Sequence, residues 1–145
     1  MGELDERADA VRVRKTITEA DVLLFAAVTG DQAAIHLDDV HARGTPYGER
    51  VAHGALVLGL MSGAATRYVE RHGIDAVSYG YDRLRFTAPV RIGDTVEVVY
   101  ARVRERERDG GARQLVARAE ARNQRGELVA VAEHLLHLWP AQEAA

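Results

Sequence analysis

The sequence predicts an α+β fold in which one antiparallel sheet wraps around a long central helix. Three observations carry that prediction. The segment Ala55 to Met61 is apolar apart from Gly59, so a helix there has no wet face and needs cover on every side. From Tyr79 onward the chain is rich in aromatic and β-favouring residues broken by short turns. With 145 residues there is room for one ordinary domain, taken here as residues 1–145, and a single curled sheet is the economical cover for such a helix.

The elements follow in order. Val11, Val13 and Lys15 open a short strand. "TITEADVLLFAAVTG" reads as a helix, with Thr18 as cap, Asp21 in the first turn at the positive end of the dipole, and Val22, Phe25 and Ala26 along one stripe. Gly30 ends it, which leaves Asp31 in irregular chain. Leu37 to Arg50 is polar and punctuated by Gly44, Pro46 and Gly48, the pattern of a loop. The central helix starts near His53-Gly54, is expected to be buried all round in its first half, exposes Arg67, Glu70 and Arg71 in its second, and stops at Gly73. "YGYDRLRFTAPV" and "RIGDTVEVVYARVRERER" read as strands with a turn at Gly93-Asp94, and Asp109-Gly110-Gly111 as a hairpin turn. Leu115, Ala117, Ala119 and Ala121 alternate with Val116, Arg118, Glu120 and Arg122, the period of a sheet covered on one face. After a turn at Gly126, "ELVAVAEHLLHLW" supplies the last strand of a meander. An open sheet keeps exposed edges, and edges pair with a second copy, so a homodimer is expected.

Composition narrows the function classes. Hydrophobic residues make up 47% and charged residues 28%, as in a globular domain. A net charge of -3 and a pI near 6.1 give no general attraction for nucleic acid or an anionic membrane. The absence of cysteine removes disulfides, thiol nucleophiles and cysteine-ligated zinc. The amino terminus lacks the apolar core of a signal peptide, and Glu6 stands where an acylation signal opening with Met1-Gly2 needs Ser or Thr. A cytoplasmic protein is expected.

Asp31 and His36 are the candidate acid/base pair. Taken alone, such a pair in a loop also suits a turn or a cap. Gly54 adds a second half: the first amides of a helix starting there are unsatisfied and can polarise a carbonyl, and glycine permits close approach. Together they make a workable site for chemistry beside a carbonyl. His53 reads as a helix-start residue, and His41, His72, His134 and His137 as structural or surface residues without metal-ligand spacing. The run "RVRERERDGGAR" mixes arginines with Glu105, Glu107 and Asp109 and reads as a solvated strand end; contact with an anionic partner is the sharper alternative.

"FAAVTGDQAAIHLD", then "HGALVLGLMSG" seventeen residues after His36, then "FTAPVRIGDTV", resemble the MaoC-like hot-dog family of (R)-specific enoyl-thioester hydratases. The likeness covers Phe25 to Val96 by motif and nearly the whole chain by element order. It implies the sheet-wrapped helix, usually in dimers, and addition of water to the trans-2,3 double bond of an acyl thioester, or the reverse dehydration. By matching motif, Asp31 and His36 hold and activate the water, and the Gly54 amide polarises the thioester carbonyl. No metal or redox cofactor is implied, and the carrier is CoA or an acyl-carrier protein. Ser62 matches a serine often found in the family; eight residues from Gly54, it lies about 80° round the helix, within possible reach of the site. The family usually has Asn and Pro where this chain has Ala33 and Ala34, which also admits a lyase whose nucleophile is not water.

Two other classes are weighed. A hot-dog thioesterase often carries a carboxylate in its central helix, whereas Gly54 to Tyr68 contains no Asp or Glu. A thioester-binding subunit without turnover has no need of the Asp31 and His36 pair.

Overall fold

The computed structural model describes Leu4 and residues 7–139. Met1, Gly2 and Glu6, on which the reading of the amino terminus rests, lie outside the described residues. Five strands, β1 (Val11–Thr16), β2 (Ala76–Phe86), β3 (Thr95–Glu107), β4 (Arg113–Arg122) and β5 (Leu128–Leu138), form one antiparallel sheet in the order β1-β3-β4-β5-β2. The meander expected of the carboxy-terminal half is β3-β4-β5. Strand β2 does not neighbour β3; it crosses to the far edge and pairs with β5, Tyr81 opposite His134.

The sheet curls over the helix α4 (Gly54–His72), which sets Val57, Met61, Ala64, Ala65 and Tyr68 into a core shared with Val98, Tyr100 and Leu115. The alternation in β4 places Leu115, Ala117, Ala119 and Ala121 in that core, and three alanines in a row let the helix lie close. Val116 is buried too, on the opposite face. One expectation fails in part. The first half of α4 is not covered all round: Ala55, Gly59, Ser62 and Thr66 form an exposed stripe of small residues. A single sheet covers one side of a helix, and the hydrophobic pattern cannot say whether the other side is closed by the same chain.

Helix α1 (Glu19–Thr29) has the expected ends. Thr18 and Asp21 make a capping box, and Gly30 closes the helix at φ 76 with its amide on the Ala26 carbonyl. The segment read as loop contains two short helices, α2 (Ala34–Leu37) and α3 (Asp39–Arg43). Both are too short to show a period. Asp38 caps α3 by accepting from the amides of Val40 and His41, while Ala33 caps α2 with no side-chain bond. Between β3 and β4 the hairpin closes through a short 3-10 turn, Asp109–Gly111.

Two buried polar groups pin the sheet. Asp94, in the turn before β3, accepts from the Arg91 amide and from the Gln124 and Arg125 side chains. Burial alone would raise its pKa, but these bonds hold it below the ordinary carboxylate value. On the core face of β5, His134 is bonded at Nδ1 to the Tyr100 hydroxyl (2.9 Å) and at Nε2 to the Ser78 hydroxyl (2.8 Å), and its ring stacks on Tyr81. None of these neighbours is a countercharge, and burial pulls its pKa down to about 4.

The signs of both shifts give an acid-stability profile. An unfolded His134 takes up its proton near 6.5 and the folded one near 4, so stability is lost as pH falls through that window. Asp94 adds a further loss only below about 3.8. Thermal melts between pH 7 and 4.5 should show Tm falling in the wild type and a flatter profile in His134→Gln. The helix α2 supplies a second expectation. Ala33 is an N-cap at φ -59 and ψ 137, a conformation that Asn accepts and that suits a following proline at the first helical position. Ala33→Asn should stabilise the fold by about 1 kcal/mol, and Ala34→Pro by roughly 0.4–1 kcal/mol, read from denaturant midpoints.

Candidate functional site

The site is assembled where the end of α1, the turn of α2 and the start of α4 meet. Gly30 turns the chain out of α1, and Asp31 is then held at three points. Its amide donates to Thr29 Oγ1 (3.2 Å), its carboxylate accepts from the Ala33 amide (3.4 Å), and its carbonyl accepts from His53 Nε2 (2.9 Å). His36, in the single turn of α2, donates from Nδ1 to the Val51 carbonyl at 2.7 Å. A carbonyl only accepts, so the neutral ring carries its proton on Nδ1 and a lone pair on Nε2.

His53 is the N-cap of α4, as the helix-start reading has it, but its side chain caps nothing. It is fully buried, stacked on His36 with ring centroids 3.8 Å apart and flanked by Phe25. Sequence reasoning left it out of the site. The available signal was its residue type, since histidine is a poor N-cap and needs another reason to stand there.

Gly54 follows as the first residue of α4, where amides have no intrahelical acceptor. Gly54 and His36 line one pocket of about 460 Å³ with Tyr47, Val57, Phe86 and Val129. The group that stands against Gly54 in the structure is the Phe86 ring: a Cβ at position 54 would lie 2.7 Å from Phe86 Cδ2. Phe86 is half-exposed at the end of β2, just after an irregular stretch in which Arg83 has φ 52.

Ser62 is not brought to this pocket. It lies about 12 Å further along α4, two turns on, beside the Tyr81 hydroxyl. Burial raises the Tyr81 pKa and the nearby Ser62 opposes that, yet the Tyr81 hydroxyl completes no hydrogen bond among the described residues. The separation of about 80° sets it on a neighbouring face of the helix, and the rise of eight residues sets it two turns along the axis.

Arg50 braces the loop. Its guanidinium takes both carboxylate oxygens of Glu19, at 2.9 and 2.7 Å, donates to Asp39 and touches the His36 carbonyl, so it ties α1, α3 and the end of α2 together. Asp31, His36 and His53 also offer three ligand-type atoms within 4.8 Å of one another. Imidazole lone pairs lie in the ring plane, and two stacked rings inclined by 30° direct theirs side by side instead of to one point. The arrangement suits proton transfer better than chelation.

A larger pocket of about 650 Å³ lies at the other end of α4, between Tyr68, His72, Arg102, Arg113 and Trp139. Burial and the bond to Asp9 push the Tyr68 pKa up to about 12, too high for a base, and Arg102 and Arg113 both pair with Glu105. Arg104 pairs with Glu133, while Arg106 donates to the neutral Gln114 and Arg108 lies over the Tyr79 ring, so the arginine run is neutralised in part by its own strands.

The chain is 43% identical over 86 residues to a 3-hydroxybutyryl-CoA dehydratase of Methylorubrum extorquens, a match covering 59% of this chain and 53% of that one. It thus spans about half the length of this curated relative. Among solved structures, it is similar to the monoamine oxidase regulatory protein from Archaeoglobus fulgius (30% identity, TM-score 0.80, covering 89% of this chain and 87% of the other). It is also similar to the (R)-hydratase from A. caviae involved in PHA biosynthesis (26% identity, TM-score 0.76, covering 90% and 94%). The fold is the hot-dog fold of these neighbours. Residues 4–124 match the MaoC like domain model, and with the sheet-wrapped helix this shows that the chain belongs to the MaoC-like domain family.

Proposed function

We propose that this chain is a hydro-lyase that adds water to trans-2-enoyl thioesters to give (R)-3-hydroxyacyl thioesters, or runs the reverse dehydration. The observation that carries the reading is one pocket lined by both His36, with its Nε2 lone pair free, and Gly54, with a helix-start amide, together with an Asp31 carboxylate oxygen within 4.8 Å of a His36 ring nitrogen. The names of the similar proteins, a dehydratase and an (R)-hydratase, support the same class.

In this reading the thioester carbonyl accepts from the Gly54 amide, which draws electron density from the double bond and makes C3 electrophilic. A water is held between Asp31 and His36. As its oxygen bonds to C3 the pair takes one of its protons, charge collects on the carbonyl oxygen as an enolate, and the pair returns one proton to C2. The apolar walls at Val57, Phe86 and Val129 face the acyl chain. The carrier is CoA or a phosphopantetheinyl protein. A cytoplasmic homodimer completes the reading: β2 is an edge strand exposing Val77 and Tyr79, and the small-residue stripe of α4 lies open. Among the described residues no helix is long and apolar enough to cross a membrane.

The test is incubation with crotonyl-CoA and a longer enoyl-CoA, following loss of the conjugated-enoyl absorbance and resolving the products by chiral chromatography. Asp31→Asn and His36→Ala should each lower kcat by roughly 10²–10⁴-fold while Tm and oligomeric state are kept. Near-normal rates in both variants would remove the pair from the mechanism, and release of free CoA would favour a thioesterase.

A further inference from the structure

We infer that His53 is a positioning residue that sets the Asp31 carboxylate against the free nitrogen of His36; this rests on the hydratase reading above. The Asp31 carbonyl can only accept, so the 2.9 Å contact requires the proton on His53 Nε2. That leaves Nδ1 as an acceptor, and it is buried with no hydrogen-bond partner. A phenylalanine would fill the same space against Phe25 and His36 without stranding a polar atom in the core. The polar ring therefore costs stability where it stands, and the bond that it makes goes to the backbone of Asp31.

The position of that bond matters. Asp31 is exposed and follows a left-handed glycine, and of its three anchors two come from its own neighbourhood, Thr29 and Ala33. His53 is the one that joins it to α4, the element carrying Gly54. The same ring packs face to face on His36, whose tautomer is set by Val51. One side chain thus fixes the spacing between the two halves of the acid/base pair and ties both to the helix start. No proton transfer through His53 is involved: Nδ1 faces neither substrate pocket nor solvent, and the residue acts through Asp31 and His36.

The two contacts can be separated. His53→Gln places an amide nitrogen where Nε2 stands and keeps the bond to Asp31 while losing the stack; His53→Phe keeps the stack and loses the bond. With an enoyl-CoA, His53→Phe should lower kcat about tenfold to a hundredfold with little change in KM. His53→Gln should recover most of that loss. In an Asp31→Asn background His53→Phe should have almost no further effect, because both act through one carboxylate. Equal rates in His53→Phe and the wild type, or losses that multiply in the double variant, would overturn the inference. A second arm is independent of turnover: 15N NMR should find Nε2–H on His53 and Nδ1–H on His36, and amide exchange at Gln32 and Ala33 should quicken in His53→Phe but not in His53→Gln. If the wild type turns over no enoyl thioester and this arm behaves as stated, the substrate is wrong and the positioning role stands. The opposite tautomer on His53 would sink that role whatever the substrate.

Discussion

The candidate site depends on three residues of extended chain, 51 to 53, between the loop and α4. Val51 is tied through its amide to the Ile35 carbonyl, through its carbonyl to His36, and by a bridge to Arg91 beside the sheet. The next amide, of Ala52, bonds the Val90 carbonyl at 2.7 Å. His53 then reaches back to Asp31. A segment this short cannot move at one bond without disturbing the others, so the loop that carries Asp31 and His36 is referenced to the rigid sheet and to the helix start at once. Loops carry chemistry well when a scaffold fixes them in this way.

How much of this was legible in the sequence follows from how local each signal is. Thr18, Gly30 and Gly73 mark helix ends because caps involve residues within a turn of each other, and all three stand at helix ends in the structure. The alternation in β4 showed its core face for the same reason. The crossing of β2 to β5 was hidden, since it joins segments about fifty residues apart that carry no shared pattern. The helices α2 and α3 escaped because four and five residues cannot display a period. At the candidate site, Asp31, His36 and Gly54 were singled out by type and spacing, and the structure places them around the start of α4. Ser62 was carried along by motif and by an angle, and the rise of the helix leaves it beside Tyr81. His53 and Arg50 were missed because their use lies in long-range contacts to Asp31 and to Glu19.

The core and the site treat buried histidines differently. His134 has a hydroxyl on each ring nitrogen, so its burial is fully compensated and it serves the packing of β2, β3 and β5. His53 leaves one nitrogen stranded. Of two equally buried rings, the one that breaks the rule of satisfied polar groups is the one beside the pocket, which is where such exceptions are expected to gather.

The contact between Gly54 and Phe86 makes the two positions an epistatic pair. Any side chain at position 54 meets the Phe86 ring unless that ring is reduced or turned away, so change at the helix start comes more easily once the end of β2 has been altered. In the reverse order the half-exposed ring has first to be displaced. A shared wall of the pocket thereby constrains the sequence of mutational steps by which related chains could reshape it.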